Sequence, residues 1–117
     1  MKFPLKVSFL HMSRSAALAQ RIQDLAQRLE RFSANITKCQ VTVSLPHKHK
    51  GQGNLFAIRV DLDVPGAAFS ILHTHRNHHR HEDPGIALKD AFQAARRKLQ
   101  DYERKRRLDV KAHSLAS

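Results

Sequence analysis

Between Asp83 and Lys111, Leu88, Phe92, Ala95, Leu99 and Tyr102 recur at alternating steps of four and three. That period predicts one long helix with a single narrow apolar seam. Lys89, Arg96, Arg97, Lys98, Arg104, Lys105, Arg106 and Arg107 crowd its remaining faces. A seam of this kind has to be buried against another element, so the segment demands a layered partner. Its outward faces suit contact with a polyanion. For one helix taken alone, a merely solvated surface is the preferred explanation of the charge, and the rest of the chain moves the balance.

The preceding residues supply the partner layer. Leu5, Val7 and Phe9 alternate with Lys6 and Ser8, the pattern of a first strand. Ser13 or Ser15 then stands where a helix cap is needed. Leu18, Ile22, Leu25, Leu29 and Phe32 repeat at helical spacing and predict an amphipathic helix of about five turns. Arg14, Arg21 and Arg28 fall at seven-residue spacing along one flank of that helix, with Arg31 further round. Cys39, Val41, Val43 and Leu45 mark a half-buried second strand that ends at Pro46. The basic segment from His47 to Asn54, with Gly51 and Gly53, reads as a hairpin loop. Phe56, Ile58, Val60, Leu62 and Val64 make a third strand, Pro65-Gly66 a turn, and Phe69 and Ile71 a fourth strand running into a histidine cluster.

The expected fold class is therefore α+β: a two-layer sandwich in the order β-α-β-β-β-α. Its four-stranded sheet carries both helices on one face. The last three strands should form an antiparallel meander. The first connects to the second through a helix and should lie parallel to it, with a right-handed crossover.

At 117 residues the chain suits one domain, expected over residues 1–111 with a short disordered tail at 112–117. Apolar residues make up 41%, enough for a modest core. Cys39 is the single cysteine, so no internal disulfide can form, and its place on an apolar face makes it a core filler rather than a nucleophile. No apolar run has the length of a membrane span, and Met1–Pro4 do not open a signal peptide, so the expectation is a soluble cytoplasmic protein without a membrane partner.

Lys and Arg number 21 against 10 Asp and Glu, a formal balance of +11. So large an excess in a small domain points to nucleic acid or another anionic surface. With both helices on one side of the sheet, their outer cations would merge. Arg21, Arg28 and Arg31 from the first helix, with Lys89, Arg96, Arg97, Lys98, Arg104 and Lys105 from the second, form the expected RNA-binding set. Such a surface binds phosphates by counterion release without reading bases.

The element order, Arg28-Leu29-Glu30-Arg31-Phe32 closing the first helix, and His81-Glu82-Asp83 opening the second resemble the ribosome hibernation-promoting and ribosome-associated inhibitor family. The Val64-Pro65-Gly66 turn and the stretch from Asp90-Ala91-Phe92 to Leu99 add to the resemblance, which spans about residues 5 to 107. It implies a stress-time factor that docks on the small ribosomal subunit where messenger and transfer RNA meet. Such a factor contacts ribosomal RNA through basic helix residues and keeps the ribosome idle. By position, Arg28, Arg31, Arg97 and Lys105 match basic sites of similar proteins. Two further basic sites are Ala94 and Asp101 here, with Arg96 and Lys98 adjacent. The expected form is the short one, without the second domain that longer members use to pair ribosomes.

Nine histidines are many for this length. His73, His75, His78, His79 and His81 cluster after the fourth strand, and His47 and His49 lie in the hairpin loop. His73 and His75 share one strand face and are weak candidates for metal ligands. A basic solvated loop is the preferred reading, because a metal site needs rigid, fixed ligands. No metal or cofactor is expected. Histidines gain charge near about pH 6.5, so mild acid is expected to tighten RNA binding.

An enzyme is not expected. Asp61 and Asp63 sit on a polar strand face, and Gly51-Gln52-Gly53 lacks the strand-to-helix setting of a phosphate loop. The alternatives are a structured-RNA-binding module acting outside the ribosome and a weak homodimer through an open sheet edge or face. The extra first strand argues against the double-stranded RNA-binding fold.

Overall fold

The computed structural model describes the backbone of residues 1–45, 55–76 and 84–116. The expected hairpin loop at 47–54 and His78, His79 and His81 lie outside the described residues. The elements are β1 (Leu5–Leu10), α1 (Ala16–Leu29), β2 (Lys38–Ser44), β3 (Leu55–Val64), β4 (Ala67–Arg76) and α2 (Pro84–Ala116). The sheet order is β1-β2-β3-β4. β1 pairs with β2 in parallel, and β2–β3 and β3–β4 are antiparallel, as the pattern predicts.

Register converts the sequence alternation into a core. Leu5, Cys39, Leu62 and Phe69 form one cross-sheet row, and Val7, Val41, Val60 and Ile71 form the next. The third row is Phe9, Val43, Ile58 and His73, so a histidine on β4 occupies the apolar side of the sheet. The opposite side is polar, with rows such as Lys6, Gln40, Asp61 and Ser70. There the Arg59 Nε donates to Asp61 Oδ1 at 3.2 Å and to Ser70 Oγ at 3.1 Å.

Both helices lie on the apolar side and pack against each other. α1 starts where Ser15, in extended backbone, accepts the Leu18 N–H on its Oγ at 3.2 Å. The apolar repeat predicts that α1 continues to Phe32, but it stops at Leu29. The chain tightens there, with the Phe32 N–H donating to the Leu29 carbonyl at 3.0 Å and the Ser33 N–H to the same oxygen at 3.2 Å. Ser33 Oγ then accepts the Asn35 N–H at 3.2 Å, and this local bond competes with helix continuation. Ile22, Ala26 and Leu29 are buried, whereas Leu18 and Leu25 of the expected stripe are only partly so.

α2 opens with Pro84 at its first turn, a position where a missing N–H costs nothing. It buries Ala87, Leu88, Ala91, Phe92, Ala95 and Leu99, so two alanines widen the expected seam. The pattern ends the helix at Lys111, yet it runs to Ala116, because no glycine or proline follows Gly85 to stop it. The side chains of residues 104–108 are all exposed, and the molecule is drawn out to 63 × 24 × 19 Å. Phe3 and Ile36, isolated apolar residues outside any periodic stretch, complete the core.

The β3–β4 hairpin turns on Pro65-Gly66, with Gly66 at φ +80. A Cβ there would meet open space, so the only cost of a side chain is the left-handed backbone. Gly66→Ala should lower stability by about 1–2 kcal/mol in urea denaturation, with the fold unchanged by circular dichroism.

Candidate nucleic-acid interface

The expected cations divide among several local environments. Arg21 and Arg28, two turns apart on α1, line a groove between the helices together with Lys89 from α2. Ala17, Gln20, Asp24 and Leu25 complete its walls. Three of the expected residues from two helices thus converge. Asp24 is the acid among them, and its Oδ1 accepts a hydrogen bond from Gln20 Nε2 at 3.1 Å. Arg14 shares the sequence spacing of Arg21 and Arg28 but precedes the Ser15 cap, so it lies outside the helix flank on which the spacing puts it.

Arg31 sits in the turn after α1 and lines an adjoining hollow with Asp24, Gln27, Arg28 and Glu30. The Glu30 carboxylate is held by the Lys2 N–H at 2.7 Å. Arg96 stacks its guanidinium on the Phe32 ring, 4.1 Å from the centroid, a cation–π contact that ties α2 to the end of α1. Arg97 is exposed on α2. Arg104 is engaged by Asp101, Nη2 to Oδ1 at 2.8 Å. Their i,i+3 spacing was the available signal for that pair. Lys98 and Lys105 lie on the other flank of α2, where with Arg106 they border a groove containing Pro65, Ala67, Phe69, Asp101 and Tyr102.

Two positioning contacts have no signature in the sequence. Buried Ser33 donates its Oγ–H to Glu103 Oε1 at 2.9 Å, and Asn35 Nδ2 donates to the same oxygen at 2.7 Å. This network fixes the turn bearing Arg31 and Phe32 against α2 across 70 residues of chain. The Tyr102 hydroxyl donates to the Pro65 carbonyl at 2.7 Å, clamping α2 onto the β3–β4 turn.

The remaining candidates are placed as follows. His73 Nε2 stands 3.7 Å from Asp90 Oδ2 of α2, both partly exposed. His75 is opposite Phe56 in the β-register, and its side chain lies outside the described residues. Among the described residues no three His, Cys, Asp or Glu side chains are grouped to hold a metal ion. Among them too, no helix is long and apolar enough to cross a membrane.

Cys39 is fully buried, and its thiol is pushed up to about 12, first by burial and then by the negative charge of Asp61. It is a neutral core side chain at physiological pH, not a nucleophile. The folded protein therefore holds this proton more tightly than the unfolded chain, whose thiol titrates near 9.0. The resulting stability is complete below pH 9 and is lost as pH rises toward 12, an upper bound of about 4 kcal/mol. Urea denaturation at pH 8 and pH 11 should show a smaller alkaline loss in Cys39→Ala than in the parent protein.

The comparisons with known proteins agree with this architecture. No curated protein sequence matches the chain. Among solved structures, the N-terminal domain of Thermus thermophilus Protein Y superposes with a TM-score of 0.67 at 15% identity, covering 87% of this chain and 99% of that one. A ribosomal subunit interface protein from Coxiella burnetii gives a TM-score of 0.66 at 10% identity, covering 85% of this chain and 96% of that one. At such identities the likeness is one of fold. Sequence membership comes from the family model described as Sigma 54 modulation protein / S30EA ribosomal protein, which matches residues 5–107. With nearly the whole described domain inside that match, the chain belongs to the Sigma 54 modulation protein / S30EA ribosomal protein family.

Proposed function

We propose that this protein binds the small ribosomal subunit through its ribosomal RNA, near the messenger and transfer RNA sites, and holds the subunit out of translation. The observation that carries the reading is the groove where Arg21 and Arg28 of α1 meet Lys89 of α2. Three exposed cations carried by two packed helices border a recess for phosphate groups beside Asp24, and Arg31 extends it past the end of α1 beside Glu30. Exposed Arg97 adds charge on α2, within a chain whose balance is +11. Family membership supplies the ribosomal context.

The binding unit is the α+β domain over residues 1–111, acting in the cytoplasm as a binding protein rather than an enzyme. Occupying the RNA surface excludes the ligands of translation, and no covalent step is needed. Cations neutralising phosphates release counterions, so binding weakens with salt in proportion to the number of contacts.

Sucrose-gradient sedimentation with purified small subunits at two salt concentrations tests this. Co-sedimentation at low salt that declines steeply at high salt is the expected result. Binding to free duplex RNA with no ribosomal fraction would replace the proposal with an RNA-binding module acting elsewhere.

A further inference from the structure

We infer that the groove between α2 and the β3–β4 turn is a second RNA subsite, which takes one unpaired nucleotide with its base against the Tyr102–Phe69 pair and its phosphate among Lys98, Lys105 and Arg106. The inference rests on the RNA-binding reading above and names what this separate part of the surface would hold. Phe69 and Tyr102 are both partly exposed and line the groove. Their rings meet edge to face, 5.8 Å between centroids and 72° between planes. Both rings pack partly against the core and partly line the groove, and it is their groove-lining part that a further planar group would meet.

The position of the tyrosine is fixed. Its hydroxyl donates to the Pro65 carbonyl at 2.7 Å, so the ring is held in place before any ligand arrives. Three cations surround it, Lys98, Lys105 and Arg106, each exposed. The one acid in the lining, Asp101, already holds Arg104 at 2.8 Å, which leaves the groove cationic. A fixed aromatic platform beside exposed cations matches a base with its attached phosphate. A paired base keeps its faces stacked inside the helix, so the occupant must come from a single-stranded loop, bulge or end. Base identity is not read, because ring stacking is open to every base.

The chain contains one tyrosine and no tryptophan, so its intrinsic emission reports on this groove alone. The test titrates the full chain with a short single-stranded oligoribonucleotide and follows tyrosine emission, with N-acetyltyrosinamide correcting for absorption by the RNA. A fluorescently labelled copy of the same oligonucleotide gives binding by anisotropy. The expected result is saturable quenching that tracks the anisotropy, with little quenching by a blunt RNA duplex of matched charge. Phe69→Leu should weaken oligonucleotide binding roughly 5- to 160-fold, the range for loss of one stacking platform. The double variant Lys98→Gln with Lys105→Gln, on solvated positions that do not test the fold, should weaken it as well and flatten its salt dependence.

Oligonucleotide binding without quenching, or equal quenching by the duplex, would overturn the subsite, as would no binding at all. Small-subunit sedimentation run on the same preparation separates the two readings. Sedimentation without quenching removes only the subsite, and quenching without sedimentation removes the ribosomal reading while leaving the groove.

Discussion

Replacing Arg28 and Arg97 together by Glu is expected to abolish co-sedimentation with the small subunit while leaving the domain folded. Both side chains are exposed, so neither reversal opens a cavity or strands a buried partner. Arg28 lies in the last turn of α1, where an anion opposes the helix dipole, a cost of about 0.3–1 kcal/mol. That lowers the melting temperature by about 1–8 °C, well short of unfolding the domain. On the binding side, a hydrogen bond to a charged group contributes about 1.5–3 kcal/mol, so losing two weakens association about 10²- to 10⁴-fold before any new repulsion is added. Removing phosphate contacts should also make the residual binding less sensitive to salt, by about one unit of log–log slope for each contact.

Arg14→Glu is the matched control. It makes the same kind of charge change ahead of the Ser15 cap, outside α1 and not among the residues that line the inter-helix groove. Near-parental sedimentation of Arg14→Glu beside loss in Arg28→Glu alone, which changes the balance by the same two charges, would assign the effect to place rather than to net charge. Equal losses would mean that the +11 balance acts as a diffuse field with no defined docking face. Unchanged sedimentation of the double variant would remove this surface from the interface. Arg104 should matter less than its position suggests, because Asp101 already engages it.

Most of the fold was readable because its strands alternate strictly and its turns use residues with one conformational meaning. Val41, Val43, Ile58, Val60 and Leu62 appear at every second position, and all are buried. Pro65-Gly66 supplies the fixed φ and the left-handed residue that a two-residue connection needs. The helix ends were less legible. Phe32 continues the stripe of α1 in spacing, but the Ser33–Asn35–Glu103 network pulls the chain away after Leu29. That network depends on a residue far along the chain, which local spacing cannot reveal. Phe3 and Ile36 are illegible for a related reason: one apolar residue without a periodic neighbour carries no pattern.

The candidate site divides along the same line. Which residues are cationic and outward-facing followed from the two stripes. Which of them converge did not, since the meeting of Arg21, Arg28 and Lys89 depends on how the helices cross, and the stacking of Arg96 on Phe32 depends on where α1 stops. The tyrosine clamp on Pro65 belongs to the same class, because the apolar seam marks Tyr102 only as a packing residue and says nothing of its hydroxyl.

Phe92→Ala should destabilise the domain by about 3–5 kcal/mol, whereas Leu25→Ala, equivalent to it in the sequence pattern but only partly buried, should cost about 1–2 kcal/mol. Phe92 is 4% exposed and belongs to the core seam of α2, so its removal leaves a cavity that a rigid sheet below cannot fill. Leu25 packs only partly against the core and lines the groove with Arg21, Arg28 and Lys89, so its truncation removes less buried apolar area. A total stability of about 5–15 kcal/mol is usual for a domain, so the Phe92 change removes a large fraction of it. At about 4–8 °C per kcal/mol for a domain near this size, its melting temperature should fall by more than ten degrees. Urea denaturation followed by circular dichroism measures both variants, and the midpoint should shift with little change in slope. Leu25→Ala then has a use beyond stability: in a protein that stays folded, it alters the floor of the cationic groove without touching a charge. Equal losses of stability in the two variants would mean that α1 buries Leu25 as deeply as α2 buries Phe92. The groove between the helices would then be closed, and the phosphate recess that depends on it would not exist.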